Sequence, residues 1–157
     1  MRDDDPIATG LDPSLVLPVR IAQWARDEPD RAFLVEVDGP TFTFAQVHDG
    51  MLRWAALLIG KGVGNGDRVV SFLPPSVAAH LVWLGCACIG ALEVAVNPEV
   101  RGPLLDHVLR DAGPCLCVGL AEHATLAPTG VRFVTVDAPV PDVAPMAPGR
   151  WPQPSDA

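Results

Sequence analysis

The chain has 157 residues and is 49% hydrophobic, enough for one ordinary domain with its own core and too apolar for a disordered polypeptide. Its 19 acidic and 11 basic residues give a formal net charge of −8, which excludes a nucleic-acid face built from clustered lysine and arginine. The longest uncharged apolar run, Leu81 to Leu92, is too short to cross a bilayer as a helix and meets Glu93 at once; the acidic start "MRDDDP" carries no secretory signal, so a cytoplasmic protein is expected.

Residues 1–17 show little periodicity and read as a loose lead-in, residues 18–137 as an α/β domain, and residues 138–157 as a proline-rich linker. In "VRIAQWARDEP", Ile21, Trp24 and Ala25 fall at helical spacing and Pro29 is a stop. "AFLVEV" (Ala32 to Val37) has strand composition, "DGP" is a turn, and "TFT" is a short returning strand. "FTFAQV" then gives the clearest local signal. Thr43 and Gln46 form a capping box, with Phe42 and Val47 placed as a hydrophobic staple. The helix this predicts runs from Phe44 to about Ile59, with Val47, Met51, Leu52, Ala55, Leu58 and Ile59 on one stripe.

Gly60 or Gly62 ends that helix, and Asn65-Gly66-Asp67 turns the chain into the strand "RVVSFL". "PPS" leads into a helix from about Val77 to Ile89 that is apolar nearly all round, and so expected to be buried. "LEVAV" is a strand. "RGPLLDHVLRDAGP" is a helix with Pro103 in its first turn, Gly113-Pro114 at its end, and an Asp106/Arg110 pair worth about 0.2–0.5 kcal/mol. "CLCVGL" and "VRFVTV" are further strands. After Ala138 the chain carries six prolines in twenty residues and reads as extended. Strands alternating with helices predict an α/β fold, layered, with a mainly parallel sheet flanked by helices.

Most catalytic and metal motifs fail. "GKGVGNGDR" is neither a P-loop nor a dinucleotide fingerprint, because no Gly-Lys-Ser/Thr occurs and its glycines fall at 60, 62, 64 and 66. It also follows a helix, and so sees the negative end of the dipole, the wrong end for phosphate. His48, His80, His107 and His123 make no zinc motif, and no G-x-S-x-G nucleophile elbow is present. Cys86/Cys88 and Cys115/Cys117 are C-x-C pairs. On a helix a two-residue offset points such side chains apart, so packed core thiols are expected rather than a metal centre.

The motifs that remain come in a fixed order: "FTFAQV", "LLIGKGVGNGDRVVSFLPPS" and "CIGALEVAVNPEVRGPLLDHVLRDAGPCLCV". From Val19 to Val118 this series resembles the N-terminal region of the AMP-forming acyl-CoA synthetases, the adenylating superfamily, and looks most like its CoA-ligase branch, including ligases of the crotonobetaine/carnitine type. Pro75 stands where the family commonly has Asn, and Ala95 where it often has Pro.

The resemblance implies an N-terminal subdomain of the acyl-CoA synthetase fold. It implies ATP, Mg²⁺ and CoA as cofactors of the complete enzyme, and a carboxylic acid as its substrate. "PQPSDA" looks like the family's lead-in to its phosphate-binding loop. That loop, the magnesium-binding Glu and the C-terminal catalytic Lys have no counterpart in this sequence, so no catalytic and no metal-binding residue is assigned, and tight cofactor binding is not expected. Arg101 is the one cofactor-binding candidate. It stands at the start of a helix in the loop that lies near the CoA nucleotide in such ligases, where backbone N–H groups also favour anions. Two functions follow: a portion of a ligase, inactive alone; or a stand-alone non-catalytic binding module. The chain would self-associate or take the missing C-terminal part as its partner.

Overall fold

A computed structural model describes residues 16–147. Residues 1–15 of the expected lead-in and 148–157 of the expected linker lie outside the described residues. The elements are α1 (Leu17–Asp27), β1 (Ala32–Val35), β2 (Thr41–Thr43), α2 (Phe44–Gly60), β3 (Arg68–Phe72), α3 (Val77–Cys88), β4 (Leu92–Ala95), α4 (Gly102–Ala112), β5 (Leu116–Gly119), a 3₁₀ turn (Ala121–Leu126) and β6 (Arg132–Thr135). The 3₁₀ turn has no periodicity in the sequence and was not expected.

β1 and β2 pair as an antiparallel hairpin. β3 to β6 form a wholly parallel sheet in the order β4-β3-β5-β6, with Val70 level with Val94 on one side and Cys117 on the other. Side chains alternate between its faces. Val69 on β3, with Leu116 and Val118 on β5, joins a large cluster built with α1, α2 and α3. Val70, Phe72 and Cys117 join a smaller one with Leu105 and Leu109 of α4. The sheet is therefore the middle of three layers.

The capping box forms in both directions. Gln46 N–H donates to Thr43 Oγ1 at 3.4 Å, and Thr43 N–H donates to Gln46 Oε1 at 2.9 Å. α2 then buries Val47, Met51, Leu52, Ala55 and Leu58 as its stripe predicts, but not Ile59, which is 49% exposed. Trp54 is buried instead, because α2 is covered on more than one side. α3 lies so close that a Cβ on Gly85 would stand 2.5 Å from Trp54 Cβ. α3 buries both Cys86 and Cys88 although their offset points them apart, since the sheet and α2 cover it on two sides; its remaining face leaves His80 and Trp83 exposed, so it is not buried all round as its composition suggests. Asp106 and Arg110 form no ion pair among the described residues.

Residues 138–147 contain no regular element, yet they are strapped onto α2. Trp54 Nε1 donates to Pro139 O at 2.8 Å, Arg53 Nη1 to Val143 O at 2.8 Å, and Met146 N–H to Leu52 O at 3.1 Å. Asp49 holds the Arg53 guanidinium from the other side at 2.6 Å. Val140 and Met146 pack against the large cluster. Prolines suit this course, because a segment bonded mainly through its carbonyl groups loses little by lacking N–H donors.

Candidate functional site

All four strands of the sheet point the same way, so their carboxyl ends gather on one edge. In open α/β sheets ligands bind at that edge, beside the point where successive connections depart in opposite directions. Here the chain passes from β3 outward to β4 and then crosses back to β5, so the switch lies between β3 and β5. Glycine is needed there: a Cβ on Gly119 would stand 3.0 Å from Phe72 O and 3.1 Å from the Phe133 ring. The 3₁₀ turn closes the same place, with buried His123 placing Nδ1 2.9 Å from Phe72 O.

Beside the switch lies a cavity of about 210 Å³, lined by Leu73, Pro74, Ser76, Leu120, Asp137 and Pro139, with Glu36 of the hairpin on its wall. The amino end of α3 opens toward it, and two of its donors are held by side chains. Ala79 N–H donates to Ser76 Oγ at 3.2 Å, and Val77 N–H donates to Glu36 Oε1 at 2.8 Å. A carboxylate of the protein itself thus takes the position that suits an anion at a helix N-terminus. A groove of about 480 Å³ between the hairpin and α3 continues past Glu36, with Val35, Val37, Pro75 and His80 on its walls.

Arg101 lies on the same edge, farther out, in the loop from β4 to α4. Asn97 Oδ1 accepts from Glu99 N–H at 2.9 Å and tightens that loop. Arg101 is the N-cap residue of α4, exposed, and its side chain does not cap the helix. Its Nη1 folds back on the carbonyls of Pro98 and Val100, the latter at 2.9 Å. Lys61 caps the far end of α2 on the approach to β3, which puts it at the opposite edge of the sheet from Arg101. The two cations do not share a site.

Burial raises the Cys86 and Cys88 thiols to about 12 and Cys117 to about 11, which keeps them protonated and unreactive near neutrality. Among the described residues no three His, Cys, Asp or Glu side chains are grouped to hold a metal ion. The resemblance implies magnesium and a triphosphate; among the described residues no three acids are grouped for a metal ion, and two N–H groups at the start of α3 already bond Glu36 and Ser76. The start of α4 with Arg101 is different, since no side chain occupies its first turn.

Sequence reasoning missed Glu36 and His123. Ser76 carried a signal, a Ser directly before an apolar helical run. Glu36 carried none, because its partner lies 41 residues away.

A family model described as "AMP-binding enzyme" matches residues 21–152. The chain is 34% identical over 103 residues to propionate–CoA ligase of Escherichia coli K12, covering 62% of this chain and 16% of that protein. It is 37% identical over 101 residues to feruloyl-CoA synthase of Amycolatopsis sp, covering 64% of this chain and 20% of that protein. It is similar in structure to the N-terminal domain of FACL13 from Mycobacterium tuberculosis, with a TM-score of 0.69 and 26% identity over 76% of this chain and 33% of that one. The fatty acyl CoA synthetase of the same organism gives 0.70 and 25%, over 85% of this chain and 28% of that one. The chain thus spans about a sixth to a fifth of the length of these curated relatives.

Proposed function

Since the chain belongs to the AMP-binding enzyme family, we propose that it supplies the N-terminal α/β layer of an AMP-dependent acyl-CoA synthetase. In that reaction a carboxylate attacks the α-phosphate of ATP, giving an acyl-adenylate and releasing pyrophosphate. The CoA thiolate then attacks the acyl carbon and releases AMP. The observation that carries this reading is the family match over residues 21–152, borne on a parallel sheet whose carboxyl edge holds a switch point. On this reading the protein works in the cytoplasm, where ATP and CoA are available.

The part assigned to the described residues is structural and, at Arg101, CoA-binding. Adenylation draws most of its rate from positioned charge on the transferring phosphoryl group. The described residues group no such charges at the carboxyl edge, which supports the reading that this chain alone makes no acyl-adenylate. The test is isotope exchange between ATP and pyrophosphate with the purified 157-residue chain, across short, aryl and long-chain acids. No exchange above a blank is expected; robust exchange overturns the reading.

A second reading, a non-catalytic binding module, predicts the same silence in that assay. It is distinguished by adding back a separately made C-terminal remainder of a ligase relative. Restored thioester formation supports the enzyme reading, and its absence with a folded complex supports the module.

A further inference from the structure

β4 is the last strand on its side of the sheet. Leu92 N–H donates inward to Asp67 O at 2.8 Å and Val96 N–H to Ser71 O at 2.9 Å. Parallel strands alternate, so the N–H and C=O groups of Glu93 and Ala95 turn outward. Proteins commonly guard such an edge with proline, lysine or a bulge. "LEVA" has no proline or lysine, and its register with β3 is regular. Its one charge points partly inward: Glu93 is half-buried, its Oε1 accepts from Ser71 Oγ at 2.5 Å, and it guards the edge against a like-charged strand.

A groove flanks this edge on each face of the sheet. On the α4 face one of about 530 Å³ is walled by Leu92, Val94, His107 and Val108, with Arg68 and Asp111 also lining it. Arg68 is occupied, its Nη1 donating to Ala112 O at 2.9 Å. On the α3 face one of about 200 Å³ is lined by Ser71, His80, Trp83, Glu93 and Ala95. Trp83 is 46% exposed and Leu92 56%, two of the largest apolar side chains left open on the molecule.

An open main chain with a groove on either side is the geometry of strand addition. Backbone hydrogen bonds hold the incoming strand, and its alternate side chains fall into the two grooves. We propose that the β4 edge takes an extended segment of a partner polypeptide, with aliphatic side chains entering the α4 groove and a lysine or arginine entering the Glu93–Trp83 groove. A carboxylate and an indole lining one groove suit a cation, and a chain of net charge −8 favours a basic partner. A second copy suits the edge poorly. Antiparallel β4–β4 pairing sets the two Glu93 side chains opposite or diagonal on one face, where like charges destabilise. The proposal goes beyond the ligase reading and concerns the edge as the described residues leave it.

The test uses ¹⁵N-labelled protein and a blocked peptide of about seven alternating valines and lysines, a length that covers the strand. Shift changes confined to the Glu93 and Ala95 amides and the Trp83 indole are expected, with slowed solvent exchange at both amides. Methylating alternate peptide nitrogens removes the donors and should weaken binding about tenfold or more. Replacing lysine by glutamate, or Glu93→Gln in the protein, should weaken it severalfold while the amide pattern persists. The proposal is overturned by unchanged affinity on N-methylation, by shifts only in the groove beside the hairpin, or by no shifts at millimolar peptide. A dimer in sedimentation, with the Glu93 and Ala95 amides already protected, overturns it in favour of a second copy.

Discussion

Thr43 couples a short sequence signal to a measurable free energy. Its hydroxyl satisfies one donor that the first turn of α2 would otherwise leave open, and Gln46 returns the bond. Thr43→Ala should cost about 0.5–2 kcal/mol, read as a lower urea midpoint with an unchanged slope. His48 illustrates what no motif reports. It sits half-buried on α2, and its Nε2 is enclosed with no hydrogen-bond partner. Desolvation lowers its pKa below 6.5, with Arg26 of α1 adding to the shift and Asp49 opposing it. The unfolded chain therefore takes up this proton more readily than the folded one. Stability from this group is complete above 6.5 and is lost as pH falls from there toward the folded value. Denaturant midpoints measured from about pH 8 to about pH 5 should fall less in His48→Leu than in the unaltered protein. At Arg101 the exposed guanidinium beside the unoccupied first turn of α4 leads to a kinetic expectation. In a complete ligase carrying this region, Arg101→Ala should raise the apparent KM for CoA severalfold and leave adenylate formation nearly unchanged. Equal losses in both half-reactions assign it a structural role.

Among elements, α2 and α3 meet where glycine lets them. A Cβ on Gly85 would lie 2.5 Å from Trp54 Cβ and 3.1 Å from Ala55 N, so neither helix can yield without moving its backbone. Gly85→Ala should destabilise by about 1–3 kcal/mol despite alanine's better helix propensity, as calorimetry or urea denaturation would show. The same contact explains where the sequence reading of α2 went astray. A one-sided stripe selects Ile59 and passes over Trp54, whereas a helix covered by α3 and by the strap buries Trp54 and leaves Ile59 half open. The strands and the start of α2 were legible because caps, turns and alternation act within a few residues. The strap was not, because its bonds to Arg53 and Trp54 span 90 and 85 residues. Proline content suggested an extended course, and nothing local told which surface it would follow.

For the whole molecule, parallel topology was legible from the alternation of strands and helices, and with it the carboxyl edge where Arg101 and the switch point lie. The details of that edge were not. Glu36 reaches α3 from a different hairpin, and His123 reaches Phe72 from a turn without periodicity. Both contacts arise from tertiary packing, which a single sequence does not write down. The expected silence in pyrophosphate exchange is a statement at this scale too. Among the described residues, the cations Lys61 and Arg101 stand at opposite edges of the sheet, and no acids cluster for a metal. Substituting any one of these residues in the isolated chain should leave the exchange at its blank value.

The strap also sets an order of events during synthesis. Trp54 and Arg53 leave the ribosome long before Pro139 and Val143, the carbonyl partners that fix them. Val136, directly after β6, belongs to the same cluster as Met51 and Leu58. The nascent chain therefore carries an incompletely covered α2 until residues near 146 emerge, and it must close loops of high contact order before its largest cluster is sealed. Translation, at about 5–20 residues per second, leaves that surface open to chaperones for several seconds.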